Sequence, residues 1–244
     1  MNQHTDTQPK RLLLKLSGEA LSSPTCADTI DSTLVDQLAA EIAASVSELG
    51  LELGIVVGGG NIWRGDRGAG KGVERSASDA MGMLATVINA IALQDSIERF
   101  GRPTRVMTAV QMAQVAEPYI RRRAIRHLEK GRVIILAGGM GNPYFTTDTS
   151  AALRAAEIGA TMLLKGTHSG VDGVYSADPR EDPSAVRYAR LSFMDLLNRD
   201  LRVMDMTAVT FCKDNDLPVL VFELSVPGNM YKAFTGDEIG TLIK

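Results

Sequence analysis

The chain has 244 residues, of which 45% are hydrophobic and 23% charged, a balance typical of a globular protein with a substantial core. Its net charge of −3 argues against a broad nucleic-acid-binding surface, although a few local cations could still hold a small anion. Two cysteines far apart in the sequence and three histidines argue against both a zinc site and a disulfide framework.

The N-terminal ten residues are polar and lack the apolar segment of a secretory signal. No uninterrupted apolar run approaches the roughly 18 residues of a membrane span. We therefore expect a soluble, cytoplasmic protein without a membrane or nucleic-acid partner.

Strand and helix patterns alternate along the chain, as judged from the spacing of apolar residues. In chain order we predict a strand at 11–17, a helix at 32–49, a strand at 51–57, a helix at 76–100, a strand at 104–110, a helix at about 118–129, a strand at 132–138, a helix at 150–159, a strand at 160–166, a polar segment at 172–190, two short helices and a strand at 218–224. Strands that are apolar on both faces and separated by helices indicate a mainly parallel sheet covered on both sides. The prediction is an α/β fold, a three-layer α/β/α sandwich, in a single domain covering 1–244.

Glycine and small polar residues follow four of the predicted strands. They are Ser17-Gly18, Gly58–Gly60, Gly138–Asn142 and Lys165–Thr167. In open parallel sheets, ligands bind outside the carboxyl ends of the strands, which lie at one edge. Free backbone N–H groups and two lysines, Lys15 and Lys165, predict an anion site there. Each glycine could alternatively serve only a tight turn, but four such loops at one edge favour a shared ligand.

Two glycine-rich segments match nucleotide-binding motifs only in part. GDRGAGKG at 65–72 has P-loop spacing, but Gly72 replaces the magnesium-binding Ser or Thr and no strand immediately precedes it. We interpret it as a glycine-rich surface loop that could act as a lid. The segment from Gly58 has Trp63 where a dinucleotide fingerprint requires its third glycine, which argues against a dehydrogenase.

Seven motifs, in order from about Lys10 to Ile243, resemble those of the bacterial uridylate kinases, a branch of the amino-acid kinase family. They are LLKLSGEAL, VVGGGNIWRG, DAMGML, GMGNPYFTTDTSA, VDGVYSADP, VMDMTA and IGTLI. KLSGEAL with GNPYFTTD is the most specific combination, because relatives that phosphorylate amino acids differ there. The resemblance implies the amino-acid kinase fold, with a UMP-binding lobe at roughly 10–160 and an ATP-binding lobe at 161–244. It also implies phosphoryl transfer from MgATP to UMP.

The resemblance gives the cations of the predicted site a catalytic role. Phosphoryl transfer depends mainly on positioning and charge neutralisation. Lys15 and Arg64 are expected to flank the transferred group, with Lys165 adding positive charge. Alternatively, Lys15 could be a strand-end lysine whose aliphatic stem covers the core, and Arg64 could be a solvated loop charge.

For the acceptor, the resemblance points to Gly59, Asp79 and the run Met140, Gly141, Asn142, Pro143, Tyr144, Phe145, Thr146 and Thr147. Asp79 is expected to accept hydrogen bonds from two ribose hydroxyls. It could instead be a first-turn carboxylate that favours the helix dipole. Asn142 and Thr147 offer donors and acceptors for uracil or phosphate, and the aromatic and proline side chains of the run shape the pocket.

For the donor, the resemblance points to Lys15, Leu16, Ser17, Gly18, Gly60, Arg64, Thr167, Tyr175 and Asp178. Tyr175 could pack on adenine or belong to the core, and Asp178-Pro179 is also a turn signal. The segment KGTHSGVDGVY is two residues longer than the common form, which leaves the partner of Thr167 open.

Two further carboxylates, Asp148 and Asp205, are counted with the catalytic residues. Asp148 stands where an N-cap of the following helix is expected. Asp205 could orient the lysines, or it could be the N-cap of the helix that starts with TAVTFCKDN.

The resemblance also implies partners. Magnesium is expected to arrive with ATP, without dedicated protein ligands. Relatives form hexamers, and the broad apolar girth of the 76–100 helix fits an oligomer interface, with core burial as the alternative.

Many relatives are activated by GTP and inhibited by UTP. Arg105 and Arg132 match GTP-contacting positions, but Gln94 and Glu98 stand where basic residues occur in some relatives, so we expect weak or absent GTP activation and leave UTP inhibition open.

Two other functions stay open. The chain could be a non-catalytic nucleotide-binding protein, which the presence of Lys15 and Arg64 disfavours. It could also be a kinase of the same superfamily acting on an amino acid or carbamate. GNPYFTTD and Asp79 disfavour the second function, because a carboxylate has no obvious use beside a carboxylate substrate.

Overall fold

The computed structural model describes residues 10–64, 72–168, 170–201 and 203–244. The predicted surface loop at 65–72 therefore lies, except for Gly72, outside the described residues.

The described strands form one large sheet and one small hairpin. They are β1 (Arg11–Leu16), β2 (Glu52–Val57), β3 (Thr104–Thr108), β4 (Glu117–Pro118), β5 (Val133–Ala137), β6 (Met162–Thr167), β7 (Val174–Tyr175), β8 (Arg187–Tyr188), β9 (Arg190–Leu191), β10 (Val219–Glu223) and β11 (Thr241–Ile243). The large sheet has the order β4-β3-β5-β2-β1-β6-β10-β11-β9, and its pairs are parallel except β10 with β11. The mainly parallel sheet of the prediction is confirmed.

Helices connect the strands. They are α1 (Ser32–Leu49), α2 (Arg75–Arg99), α3 (Arg121–Glu129), α4 (Thr147–Ile158), α5 (Phe193–Asn198), α6 (Met206–Asp214) and α7 (Asn229–Thr235), and a 3-10 helix covers Gly18–Leu21. The helix predicted at 150–159 begins three residues earlier, at Thr147. Several short elements were not predicted, because their spans give little periodicity to detect. They are the 3-10 helix, β4, the hairpin β7–β8 inside the polar segment, β9, α7 and β11.

Apolar side chains pack on both faces of the sheet, which confirms the three-layer sandwich. Leu12, Leu14 and Leu16 of β1 pack with residues of α1, α2 and α7. Leu13 packs on the opposite face with residues of α3, α4, α5 and α6. Because side chains alternate along a strand, Lys15 shares the α4 face with Leu13.

Helix α2 is the one described helix that is long and apolar enough to cross a membrane by length and composition alone. Core helices of globular proteins pass the same test. Its Val87, Ala90, Leu93 and Ile97 are buried in the core shared with α1 and the sheet.

Candidate functional site

A cavity of about 290 Å³ lies at the carboxyl ends of β1, β2 and β5 and is closed on one side by α2. Its lining consists of Lys15, Ser17, Gly18, Glu19, Gly58, Gly59, Gly60, Trp63, Arg64, Asp79, Gly82, Met83, Thr86, Gly139, Asn142, Phe145, Thr146 and Thr147. Three of the four predicted loops thus meet at one edge of the sheet. The fourth, after β6, approaches through His168, whose Nδ1 lies 2.8 Å from Ser17 Oγ.

Asp148 joins the two lysines of the site. Lys15 Nζ lies 2.9 Å from Asp148 Oδ1, and Lys165 Nζ lies 2.5 Å from Asp148 Oδ2. The three side chains are only 11%, 12% and 14% exposed, in the order Lys15, Lys165, Asp148. Burial acts to raise the pKa of Asp148, but the two ammonium groups outweigh it and lower that pKa below its ordinary value. Burial, with the neighbouring charge of Lys15, lowers the pKa of Lys165.

The cap predicted at Asp148 is wrong. The N-cap of α4 is Thr146, whose hydroxyl accepts from the backbone N–H groups of Asp148 and Thr149. Asp148 lies in the first turn, where its side chain is free to turn toward the lysines. Asp205, in contrast, is the N-cap of α6, accepting from Ala208 N at 2.8 Å. The carboxylate that contacts the lysines is therefore Asp148, while Asp205 accepts hydrogen bonds from Thr146 and Thr149.

Each of the three glycines after β2 has a different close neighbour. A Cβ built on Gly58 would lie 3.0 Å from the backbone N of Gly18. A Cβ on Gly59 would lie 2.8 Å from Ala85 Cβ on α2, and one on Gly60 would lie 2.5 Å from Glu19 Oε1. All three spacings are shorter than ordinary Cβ contacts, so the loop combines a close-packed backbone with a wall of the cavity.

Arg64 lies on the rim of the same cavity as Lys15. Its Nη2 forms an ion pair with Glu19 Oε1, and its Nε donates to the carbonyl of Gly60 at 3.4 Å. Burial opposes ionisation of Glu19, but hydrogen bonds, including one from Arg64, and the charge of Arg64 leave its pKa below the ordinary value.

Asp79 projects from α2 into the cavity lining. It is already bonded on two sides: Arg75 Nε lies 2.9 Å from Oδ2, and the backbone N–H of Tyr144 donates to Oδ2 at 2.8 Å. Tyr144 itself has φ 72°, a left-handed conformation that is uncommon for a residue with a side chain. Asp79 therefore holds the 140–147 run against α2.

Within the 140–147 run, Asn142, Phe145, Thr146 and Thr147 line the cavity. The other members, which are Met140, Gly141, Pro143 and Tyr144, are not in its lining. Thr146 and Thr147 stand at the N-terminus of α4, whose dipole and free N–H groups favour an anion.

The predicted donor positions from Thr167 onward make internal contacts and are not in the lining of the cavity. The Thr167 hydroxyl bonds the carbonyls of Val171 and Phe222. The Tyr175 hydroxyl donates to Asp172 at 2.6 Å, and Asp178 accepts from the backbone N–H of Arg180. Leu16 is fully buried in the core.

Among the described residues, no group of three or more His, Cys, Asp or Glu side chains could hold a metal ion. The two carboxylates nearest the cations, Glu19 and Asp148, are paired with them.

Five residues that line the cavity were not predicted from the sequence as site residues: Glu19, Trp63, Gly82, Met83 and Thr86. Four of them stand inside the quoted motifs, so motif membership was the available signal: Glu19 in KLSGEAL, Trp63 in VVGGGNIWRG, and Gly82 and Met83 in DAMGML. Thr86 shows no such signal beyond its place on α2, and its hydroxyl accepts from the backbone N–H of Gly138 at 2.8 Å.

Known proteins match this architecture over nearly its whole length. The amino acid kinase family matches residues 10–223. A UMP kinase from Bacillus anthracis is 39% identical, with TM-score 0.92 and 97% of each chain covered. A UMP kinase from Ureaplasma parvum is 34% identical, with TM-score 0.91 and coverage of 97% of this chain and 99% of that one. A uridylate kinase from Archaeoglobus fulgidus is 29% identical, with TM-score 0.72 and coverage of 96% and 99%. With the fold, the glycine loop and the lysine pair on the same edge of the sheet, this chain belongs to the amino acid kinase family.

Proposed function

We propose that the chain is a nucleoside monophosphate kinase that transfers the γ-phosphoryl group of ATP to UMP, giving UDP in pyrimidine nucleotide synthesis. The observation that carries the proposal is that Lys15, Arg64 and the Gly58–Gly60 loop border one cavity. The similarity to UMP kinases from Bacillus anthracis and Ureaplasma parvum supports the choice of acceptor.

The reaction joins an oxygen of the UMP phosphate to the γ-phosphorus and breaks the bond between that phosphorus and the β–γ bridging oxygen, so that ADP leaves. A phosphate monoester has a second pKa of about 6, so at neutral pH its oxygens attack without a general base. Lys15 and Arg64 neutralise charge on the transferred group and the bridging oxygen. Asp148 keeps the ammonium groups of Lys15 and Lys165 together on one side of the cavity.

The ATP phosphates would hold a magnesium ion, which would supply further charge neutralisation. The acceptor occupies the side formed by Gly59, Asp79 and the 140–147 run, in a lobe at roughly 10–160. The donor extends from Gly18 and Gly60 toward Thr167, Tyr175 and Asp178, in a lobe at 161–244. Because those three side chains make internal contacts, donor binding would require some of them to exchange partners.

The proposed assembly is a homo-oligomer, and by analogy with relatives a hexamer. Its support is a stripe on α2 formed by Met81, Leu84, Ile88 and Ile91, which are 41%, 50%, 49% and 39% exposed. Large exposed apolar stripes on a soluble protein usually mark interaction surfaces. A soluble, cytoplasmic enzyme is also proposed, supported by the similarity of nearly the whole chain to UMP kinases.

We further propose that GTP activates the enzyme weakly or not at all. Arg105 Nη1 lies 3.1 Å from Glu98 Oε1, so this arginine is already paired, and Glu98 would repel a triphosphate. Initial rates with and without GTP test this proposal, and a steep rise would contradict it. The same assay with UTP tests inhibition.

A coupled assay of ADP release tests the function, with UMP, CMP, aspartate, glutamate and carbamate offered as acceptors. We expect release with UMP well above that with each of the others. Release with an amino acid or carbamate would favour another kinase of the family. No release with any acceptor, despite ATP binding, would favour a non-catalytic nucleotide-binding protein.

A further inference from the structure

The carboxylate of Glu19 fills the space in front of Gly60. A Cβ built on Gly60 would lie 2.5 Å from Glu19 Oε1 and 3.0 Å from its Cδ. Gly58 and Gly59 instead face the backbone of the β1 loop and helix α2, which cannot move without disturbing the core. Of these three glycines, Gly60 is therefore the one whose neighbour is the end of a flexible side chain.

The same carboxylate neutralises Arg64. The guanidinium that is assigned to the transferred phosphoryl group is ion-paired with Glu19 and donates to the carbonyl of Gly60. A carboxylate resembles a phosphate in charge sign and in accepting hydrogen bonds from a guanidinium. Glu19 thus makes, within the chain, the contacts that a phosphate would make at this point.

A second cavity lies next to Glu19. Glu19 borders a second cavity of about 940 Å³, formed by the 3-10 helix, the α1 residues Leu34 and Leu38, and the segment 224–227. Glu19 therefore lines both cavities, so open space borders this residue on the side away from Gly60 and Arg64 as well.

We propose that Glu19 is an internal competitor of the phosphate donor. In the unliganded chain its carboxylate occupies the place of a phosphate against Gly60 and Arg64, and the donor displaces it. The identity of the donor as ATP rests on the proposed function. The apparent affinity for the donor then equals the intrinsic affinity multiplied by the fraction of molecules in which Glu19 has left the site.

Trp63, the single tryptophan of the chain, lines the first cavity next to Arg64 and provides the readout. Its fluorescence is titrated with MgATP and, separately, with tripolyphosphate, both without UMP. Glu19→Gln keeps the shape but removes the charge, so we expect it to lower the apparent Kd for both probes about 3- to 10-fold. Glu19→Asp, with a shorter reach toward Arg64, is expected to give a smaller gain.

Glu129→Gln is the matched control, because Glu129 is paired with Arg126 at 3.3 Å on α3 and does not line the cavity. Its affinities should equal those of the wild type. Thermal unfolding of each variant checks that the fold is kept.

Unchanged or weaker binding of both probes by Glu19→Gln would overturn the proposal. Weaker binding together with a lower kcat would mean that Glu19 orients Arg64 in the bound state rather than competing with the donor. The absence of tripolyphosphate and MgATP binding to either the wild type or Glu19→Gln would also overturn it. A wild type that binds both probes but does not phosphorylate UMP would instead reject the proposed function and leave the displacement of Glu19 standing.

Discussion

At the residue scale, Asp148 balances the charge of the site. Its two oxygens lie next to the ammonium groups of Lys15 and Lys165, and all three side chains are largely buried. Two buried ammonium groups without this carboxylate would repel each other and lack a counter-charge. A substitution at Asp148 therefore affects both folding and the geometry of the cations.

Asp148→Asn is expected to lower the free energy of unfolding at neutral pH by about 3 kcal/mol, because it leaves two lysines in a largely buried site without their counter-charge. The pKa of Asp148 is lowered in the folded chain, so the carboxylate contributes stability above its unfolded pKa, near 3.8, and that contribution is lost as pH falls through the folded pKa. The gap between variant and wild type should therefore shrink below about pH 4.

Urea unfolding across this pH range measures the gap. Asp95→Asn is the control, since Asp95 is 73% exposed in its ion pair with Arg99 and should cost little. A gap that stays constant down to the acid end would show that the charge of Asp148 is not responsible.

At the element scale, the loop after β2 is fitted to helix α2. Gly59 faces Ala85 and the backbone of Gly82 and Thr86, which leaves no room for a side chain. Gly82 lies on α2 as well, but a Cβ built there meets nothing within 4 Å. Packing at this junction therefore requires a glycine at position 59 but not at position 82.

Gly59→Ala is expected to destabilise the chain by about 1 to 3 kcal/mol, because the added methyl group would force α2 away from the loop. Gly82→Ala, in an open helical position, is expected to stabilise it by about 0.5 to 1 kcal/mol. Denaturant unfolding of the two variants side by side measures both. Equal effects of the two substitutions would contradict the packing account of Gly59.

The elements also show where sequence reasoning succeeds and fails. The long strands and helices follow from their periodicity, and the glycines after β1, β2 and β5 correctly predicted loops that meet at one edge. The N-cap of α4 at Thr146 did not follow, because Thr146 and Asp148 are both good N-caps and only the tertiary partners of Asp148 decide between them. The ion pair of Glu19 with Arg64 depends on the approach of two loops, which no local pattern encodes.

At the scale of the whole molecule, one face of α2 is only partly covered by the described part of the chain. Its inward residues, among them Val87 and Leu93, are buried, while Leu84 and Ile88 on the outward side are half exposed. Contacts among the described residues therefore account for the burial of one side of the helix, and a second copy of the chain is the partner proposed for the other side.

Leu84→Glu combined with Ile88→Glu is expected to convert the assembly to smaller species, because charges would replace the apolar stripe. Light scattering at micromolar concentration measures the mass. Lys213→Glu on α6, which packs on the opposite face of the sheet, also adds negative charge and should leave the mass unchanged. A wild type that is itself monomeric would contradict the proposed interface.

The central claim, that phosphoryl transfer takes place in the cavity between Lys15 and Arg64, is tested most directly by following the label of γ-labelled ATP in the presence of UMP. The account predicts that the wild type moves the label into UDP, and that Lys15→Met lowers kcat by about 100-fold or more while the KM for UMP changes little. Label that does not appear in UDP, or a Lys15→Met variant that works at the wild-type rate, would contradict it.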